Sequence, residues 1–370
     1  MSADATTRES GVATLPSARP LTALRERLGA SENLWTYLPL IAAIVAIGAY
    51  ATANSDLFLT SRNIQVLLES VAALGLLTVG MTLLLIAGQL DLSVGAGAAL
   101  ASVVAAKLIV SGASDAVAVA VMLALPAAIG AIVGVLVVRT GVAPFILTLG
   151  LLSVLQAVAL IQTGQRPVAI GARLQGFDTA KLLGIPLAFW LFVAALIAGS
   201  LLLRYTRLGR NAYAVGSNED AAFLSGVPVG RVKITLFGVS GLLVGLAGLV
   251  LLSSLGAGDA ASGNGLELQA IAAAVLGGAL LTGGRGTMLG SFLGVMLLGV
   301  VTNALTLLDV SSFHQRLVQG ALLIIAVLAT AIAEKRRGAA TSLWTPLRRL
   351  ATGSDHPGST DTTTTTKAGS

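Results

Sequence analysis

Asp91 is the residue of this sequence whose setting most demands a chemical account. It lies in Ala87-Gly88-Gln89-Leu90-Asp91-Leu92-Ser93-Val94-Gly95, a polar break in an apolar run from Ile64 to Val110. A charged carboxylate at the centre of a membrane helix costs about 2.5–3.5 kcal/mol on insertion scales, so it must face protein or water. Three roles suit it. With Glu69 it would hold a proton or a sodium ion. With Ser93 it would line a path and hydrogen-bond substrate hydroxyls. As a structural group it would accept from the backbone N–H of Ser93 or Val94 and cap the helix that follows.

The remaining polar groups in apolar surroundings are few. Glu267 follows the glycine-rich loop Gly256 to Gly265 and is placed to complement a helix N-terminus. Gln156, Asn303 and Gln319 are amides that either face a polar pathway or hydrogen-bond neighbouring helices. Glu69, Gln156 and Asn303 are the candidates for lining such a path. His314 stands at the entrance of an apolar stretch and reads as interfacial.

Several chemistries are excluded. The chain has no cysteine and only two histidines, His314 and His356, which removes thiol nucleophiles and Cys- or His-rich metal sites. The glycine-rich Leu281-Thr282-Gly283-Gly284-Arg285-Gly286 has neither the spacing nor the lysine of a phosphate-binding loop. No catalytic triad is present either, so the chain is expected to bind no cofactor or metal and to leave its substrate chemically unchanged.

The elements that must position these residues are membrane helices. Of 370 residues, 55% are hydrophobic and 11% charged, against about a quarter charged in soluble domains. Laid out as one helix, the run from Ile64 to Val110 would be roughly 70 Å long, more than twice a hydrocarbon core of about 30 Å, so it must fold back. Apolar stretches fall at 37–53, 63–88, 92–111, 115–138, 144–164, 185–204, 232–255, 266–281, 287–308 and 314–333. The expected fold is an all-α, polytopic transmembrane bundle of about ten spans. Those at 92–111 and 266–281 are Gly/Ala-rich and open to being tilted, broken or re-entrant. The 43 glycines and 4% aromatic content suit close packing of small residues in lipid.

With an even number of spans both termini share one side, and most of the 23 Lys and Arg residues fall there. Only Arg62, Lys107, Arg166, Arg173, Lys181 and Arg316 fall on the other. This asymmetry predicts cytoplasmic termini and puts the Asp91 turn near the cytoplasmic boundary, where capping is its simplest role. The net charge of +6 is dispersed among loops and gives no nucleic-acid patch. Residues 1–34 and 336–370 read as cytoplasmic tails, polar and mostly disordered, flanking a permeating bundle at 35–335. Leu84 to Ala99 also resembles Ala274 to Leu289: each has an apolar run, a glycine-rich break and a small-residue helix, as in transporters built from repeats.

The longest polar interruption runs from Arg207 to Pro228. Ser217 or Asn218 suits an N-cap, Glu219 and Asp220 complement a helix start, and Gly226 with Pro228 stops it. This predicts a short helix from about Glu219 to Ser225, presenting Ala221, Ala222, Phe223 and Leu224 either to a partner or to the end of the bundle.

Gly88-Gln89-Leu90-Asp91-Leu92-Ser93-Val94-Gly95, followed by Gly209 to Lys233, is similar to the permease family of bacterial ABC importers for ribose and other simple sugars. The resemblance spans roughly Asn63 to Glu334. Its motifs are the turn at Gly88, Asp91, Leu92, Ser93 and Gly95, and the segment carrying Gly216, Asn218, Ala221, Ala222, Ser225 and Gly226. It implies a multi-pass homodimer or paralogue pair in the bacterial inner membrane. The partners would be a periplasmic sugar-binding protein and two cytoplasmic ATPase subunits, which would hold ATP and Mg. The segment 217–226, with Glu219, would be the coupling helix docked on the ATPase. Gln89 departs from the family's usual glycine. The competing readings are an ion-coupled secondary transporter using Asp91 and Glu69, which would need no capped cytoplasmic helix, and a membrane scaffold, which explains neither polar break.

Overall fold

A computed structural model describes residues 19–325 except Ala172, together with 327 and 328. In chain order the helices are α1 (Arg19–Asn54), α2 (Ser61–Ile86), α3 (Val94–Val110), α4 (Asp115–Thr140), α5 (Pro144–Thr163), α6 (Gln175–Thr179), α7 (Leu187–Tyr205), α8 (Arg207–Ser217), α9 (Glu219–Leu224), α10 (Val229–Leu255), α11 (Leu266–Leu276) and α12 (Met288–Leu307). Residues 312–325 are also helical. Two short antiparallel pairings, β1 (Val168–Ala169) with β4 (Ala257–Gly258) and β2 (Lys181–Leu182) with β3 (Ile185–Pro186), tie loops together at the end opposite α9.

Among the described residues, seven helices are long and apolar enough to cross a membrane: Tyr37–Asn54 within α1, then α2, α4, α5, α7, α10 and α12. The stretch expected at 266–281 ends at Leu276, giving an 11-residue helix of roughly 16 Å, about half of a hydrocarbon core. Gly277 closes it and Gly278 takes φ +90°, a conformation that favours glycine. The stretch expected at 92–111 begins only at Val94 and is likewise short. The stretch expected at 314–333 coincides with helix over 312–325 and then passes outside the described residues. α1 starts inside the stretch expected as an unstructured tail, over a Leu-, Ala-, Arg- and Glu-rich segment of strong helix formers. Residues 1–18 and 336–370 lie outside the described residues.

Helix α2 is the axis of the bundle: 89% of its apolar window is buried, against 11% for that of α1 and 17% for α5. The tightest pairing is α4 against α10, and glycine makes it possible. Gly130 and Gly134 of α4 face Phe237 and Ile234, while Gly241 and Gly245 of α10 face Pro126 and Met122. A Cβ at Gly134 would stand 2.7 Å from the Ile234 Cα, so any side chain there would push the helices apart. Pro126 also strips the Met122 carbonyl of its helical donor, and Gly245 packs onto that carbonyl.

The repeat seen in sequence has a geometric counterpart. After α2, the Gln89 N–H donates to the Leu84 carbonyl at 2.9 Å; after α11, the Ala279 N–H donates to the Ala274 carbonyl at 3.0 Å. Gly88 and Gly278 take the left-handed conformation, at φ +69° and +90°. Both helices therefore end in the same glycine-closed turn, and the alignment of Leu84 with Ala274 is the one read from sequence.

Candidate functional site

The Arg207 to Pro228 segment folds as two helices. Thr206 opens α8, its Oγ1 accepting from the Gly209 N–H at 3.1 Å. Gly209, Ala212 and Val215 form the buried stripe. Asn218 closes α8 and caps α9, its Oδ1 accepting from the Ala221 N–H at 2.9 Å. At the far end Gly226 takes φ +80° and the Val227 N–H donates to the Ala222 carbonyl at 3.0 Å. The cap, the acidic first turn and the glycine stop are thus where the sequence predicted them. α8 was not anticipated, because Arg207 to Pro228 was read as one polar interruption and its buried stripe of Gly209, Ala212 and Val215 is made of small residues.

The apolar face of α9 divides. Ala222 is buried, whereas Phe223 and Leu224 are 70% and 85% exposed. Ala221 is exposed beside them, with its carbonyl accepting from the Ser225 hydroxyl at 2.8 Å. The helix is held to α10 by Lys233, whose Nζ donates to both Glu219 carboxylate oxygens at 2.7 Å.

Beneath α8 and α9 lie the two glycine-closed turns. Gly216 packs on the Ile86 carbonyl with no room for a Cβ, and the Gly284 N–H donates to the same carbonyl at 2.9 Å. The Tyr213 hydroxyl donates to the Gly286 carbonyl at 2.8 Å. Burial, then the neighbouring Tyr37, raises the pKa of that hydroxyl above its ordinary value and keeps it a donor. The segment carrying α9 therefore rests on the ends of α2 and α11 at once.

Asp91 lies deeper than its sequence position suggested. It and Ser93 pack among Pro126, Gly130, Gly241 and Val244, midway along α4 and α10. That is roughly 15–20 Å from the α9 end at about 1.5 Å per residue. The expectation of a boundary turn is corrected: after Gly88 the chain climbs back beside α4 before α3 begins. Asp91 Oδ1 accepts from the Ser93 N–H at 2.8 Å and from the Ser93 hydroxyl at 2.6 Å. Ser93 itself stands at the N-cap position and makes no side-chain capping bond. Asp91 and Ser93 thus satisfy each other, and the Leu92 N–H donates to Thr148 at 3.1 Å.

A second segment descends to the same depth. Gly258 packs on Ser102, Val103 and Ala106 near the far end of α3, while Gly263 packs on Gly95 and Ala99 at its start. α11 then begins, so the N-termini of α3 and α11 meet midway and the two helices run apart in opposite directions. Gly95 has no room for a Cβ because the Glu267 carboxylate and the Gly263 carbonyl lie against it. Glu267 also accepts from the Gly265 N–H at 3.2 Å. Asp91 and Glu267 are therefore carboxylates placed at two converging positive dipole ends.

Broken helices meeting at mid-depth, beneath a capped helix at one end, are the parts of a transport subunit. The sequence profile of the branched-chain amino acid transport system / permease component family matches residues 63–327. The chain belongs to this permease family. It is 40% identical to the ribose import permease of Escherichia coli K12 over 294 residues, covering 78% of this chain and 91% of the relative. An L-arabinose ABC transporter permease of Azospirillum brasilense is 40% identical over 272 residues, covering 73% of this chain and 80% of that one. A D-allose transport permease of Escherichia coli K12 is 35% identical over 291 residues, covering 78% and 88%. No solved structure matches. The permease is a multi-pass membrane transport subunit and not an enzyme.

The residues proposed from sequence to line the permease's path are largely engaged elsewhere. Gln156 donates to the Ala260 carbonyl at 3.2 Å and clips α5 to the re-entrant loop. The Asn303 and Asn63 amides exchange two hydrogen bonds of 2.9 Å, joining α12 to α2. Glu69 is half-buried on α2. Sequence reasoning missed Lys233 and Tyr213; the visible signal was a lysine opening an apolar stretch and a tyrosine inside a polar one.

Proposed function

We propose that this permease is the membrane-spanning subunit of an ATP-driven importer for a monosaccharide or related small polyol. Two copies, or this chain and a paralogue, would form the transmembrane unit in the bacterial inner membrane. A periplasmic binding protein would deliver the sugar, and cytoplasmic ATPase subunits would hold ATP and Mg. The observation that carries this reading is α9: a capped helix that shows Phe223 and Leu224 to solvent and stands on the turns ending α2 and α11.

The α9 end is rich in Arg204, Arg207, Arg210, Arg231, Lys233 and Arg285, which supports a cytoplasmic location. An ATPase that closes would push on α9. The Gly216 and Tyr213 contacts would pass that displacement to both broken helices, whose N-termini meet at mid-depth. The names of the sugar permeases to which the chain is similar support the substrate class. The test is to co-purify the chain with the ATPase and binding protein encoded beside it, reconstitute the assembly in vesicles, and measure ATP-dependent uptake of labelled ribose, arabinose and allose. Uptake of one of them only with ATP and binding protein is the expected result. Uptake driven by an ion gradient without ATP would overturn the reading.

A further inference from the structure

A cavity of about 430 Å³ opens between the start of α11, α12 and the helix at 312–325, within the range of small-molecule sites. Its polar lining is Asn264, Gln269, Ser312, Gln315, Arg316 and Gln319, and its apolar walls include Leu268, Ala272, Leu298 and Leu323. The cavity starts at the depth where Gly263 touches Gly95, midway through the bundle. Asn264 follows Gly263 directly and is exposed, and its side chain bonds to nothing among the described residues. Irregular backbone and an unpaired amide at that depth are tolerated only where they are buried in protein or line water.

The amides are partly tethered. Gln269 Nε2 donates to Gln319 Oε1 at 3.2 Å, and Gln319 Nε2 donates to Thr302 Oγ1 at 3.1 Å. Gln315 Nε2 donates to the Val310 carbonyl at 2.9 Å. This chain fixes the amide planes while leaving the Gln269 carbonyl oxygen, the Asn264 amide and the Arg316 guanidinium for an occupant. Together they supply both acceptors and donors, and the leucine walls supply an apolar surface.

We propose that this cavity is a substrate subsite of the translocation path and that its occupant is a neutral polyhydroxylated molecule of monosaccharide size. Hydroxyls both donate and accept, which matches amides and a guanidinium in one place, and the carbon face of a sugar ring matches Leu268 and Leu298. The lining contains no acidic side chain, so a cationic substrate is disfavoured. Gln156, which bonds to Ala260, and Asn303, which pairs with Asn63, lie outside this lining.

The proposal rests on the importer reading for its substrate class, and the chain's lack of cysteine gives a test that separates the two. Asn264→Cys and Leu268→Cys, in the full transporter in membranes, are exposed to a charged, water-soluble thiol reagent. Ile132→Cys, at an exposed apolar position eight residues before the end of α4, is the reference. Only a thiolate reacts, and thiolates form where water reaches, so labelling at 264 and 268 is expected to be roughly tenfold faster than at 132. Saturating ribose, arabinose or allose with the binding protein present is expected to slow it at least about twofold. Labelling no faster than at 132 overturns the cavity as an aqueous path whatever the protein transports. Fast labelling that no sugar slows, in a transporter that takes up one of those sugars, overturns the cavity as a sugar subsite. Failure of the wild-type assembly to take up any sugar counts against the importer reading instead.

Discussion

Gly95 and Gly263 touch through their backbones: the Gly263 Cα lies against the Gly95 carbonyl, and the Gly95 Cα against the Gly263 carbonyl. One is the second residue of α3 and the other stands three residues before the first residue of α11, so this contact holds two helix starts together at mid-depth. Gly263→Ala or Gly95→Ala must separate them, and overpacking of this kind costs about 1–3 kcal/mol. Thermal unfolding in detergent is expected to show a lowered Tm for both. Gly150→Ala in α5, where a Cβ meets nothing within 4 Å, is the control and is expected to be neutral or slightly stabilising, since alanine is the better helix former. Equal Tm values for Gly263→Ala and Gly150→Ala would falsify the close approach.

Phe223 and Leu224 point away from the bundle, so Phe223→Ser with Leu224→Ser is expected to spare membrane insertion and Tm. Pull-down of the ATPase subunit is expected to fall by at least about tenfold, corresponding to some 1.4 kcal/mol of lost interface. Ala222→Arg acts differently, because Ala222 is buried: it is expected to lower Tm as well as binding. A double serine variant that still retains the ATPase would rule out α9 as the docking helix.

The Glu219–Lys233 pair is asymmetric. The lysine side chain is 11% exposed and the glutamate side chain 51%. Glu219→Ala leaves a nearly buried ammonium without its partner, which costs about 2–3 kcal/mol. Lys233→Met leaves a hydrated carboxylate and costs about 1 kcal/mol or less. Chemical unfolding of the two variants is expected to rank them in that order, and the reverse ranking would show that the pair does not hold α9.

Asp91 separates the importer from an ion-coupled carrier. Asparagine keeps an oxygen that accepts from the Ser93 N–H and hydroxyl, but it cannot carry a proton or balance a sodium ion. Asp91→Asn is therefore expected to retain most ATP-driven uptake, while Asp91→Leu, which leaves the Ser93 groups without an acceptor, is expected to lose it with a drop in Tm. Loss of uptake in Asp91→Asn at unchanged Tm would return the ion-binding role to Asp91.

The sequence by itself determined what depends on near neighbours in the chain. The Asn218 cap, the acidic first turn and the Gly226 stop define α9 because capping bonds span only three or four residues. The shared turns at Gly88 and Gly278 were legible for the same reason, as was the membrane class, which follows from composition. Three things were decided only by tertiary structure. Asp91 lies at mid-depth because the chain re-enters beside α4, a path set by packing against Pro126 and Gly241 and absent from any local pattern. Gln156 and Asn303 look like free amides in sequence, yet each finds a partner far away in the chain. The meeting of α11 with α3 at mid-depth came from the backbones of Gly95 and Gly263, two glycines distant in sequence. Hydropathy records how apolar a segment is; only the folded packing records how deep it begins and what it touches there.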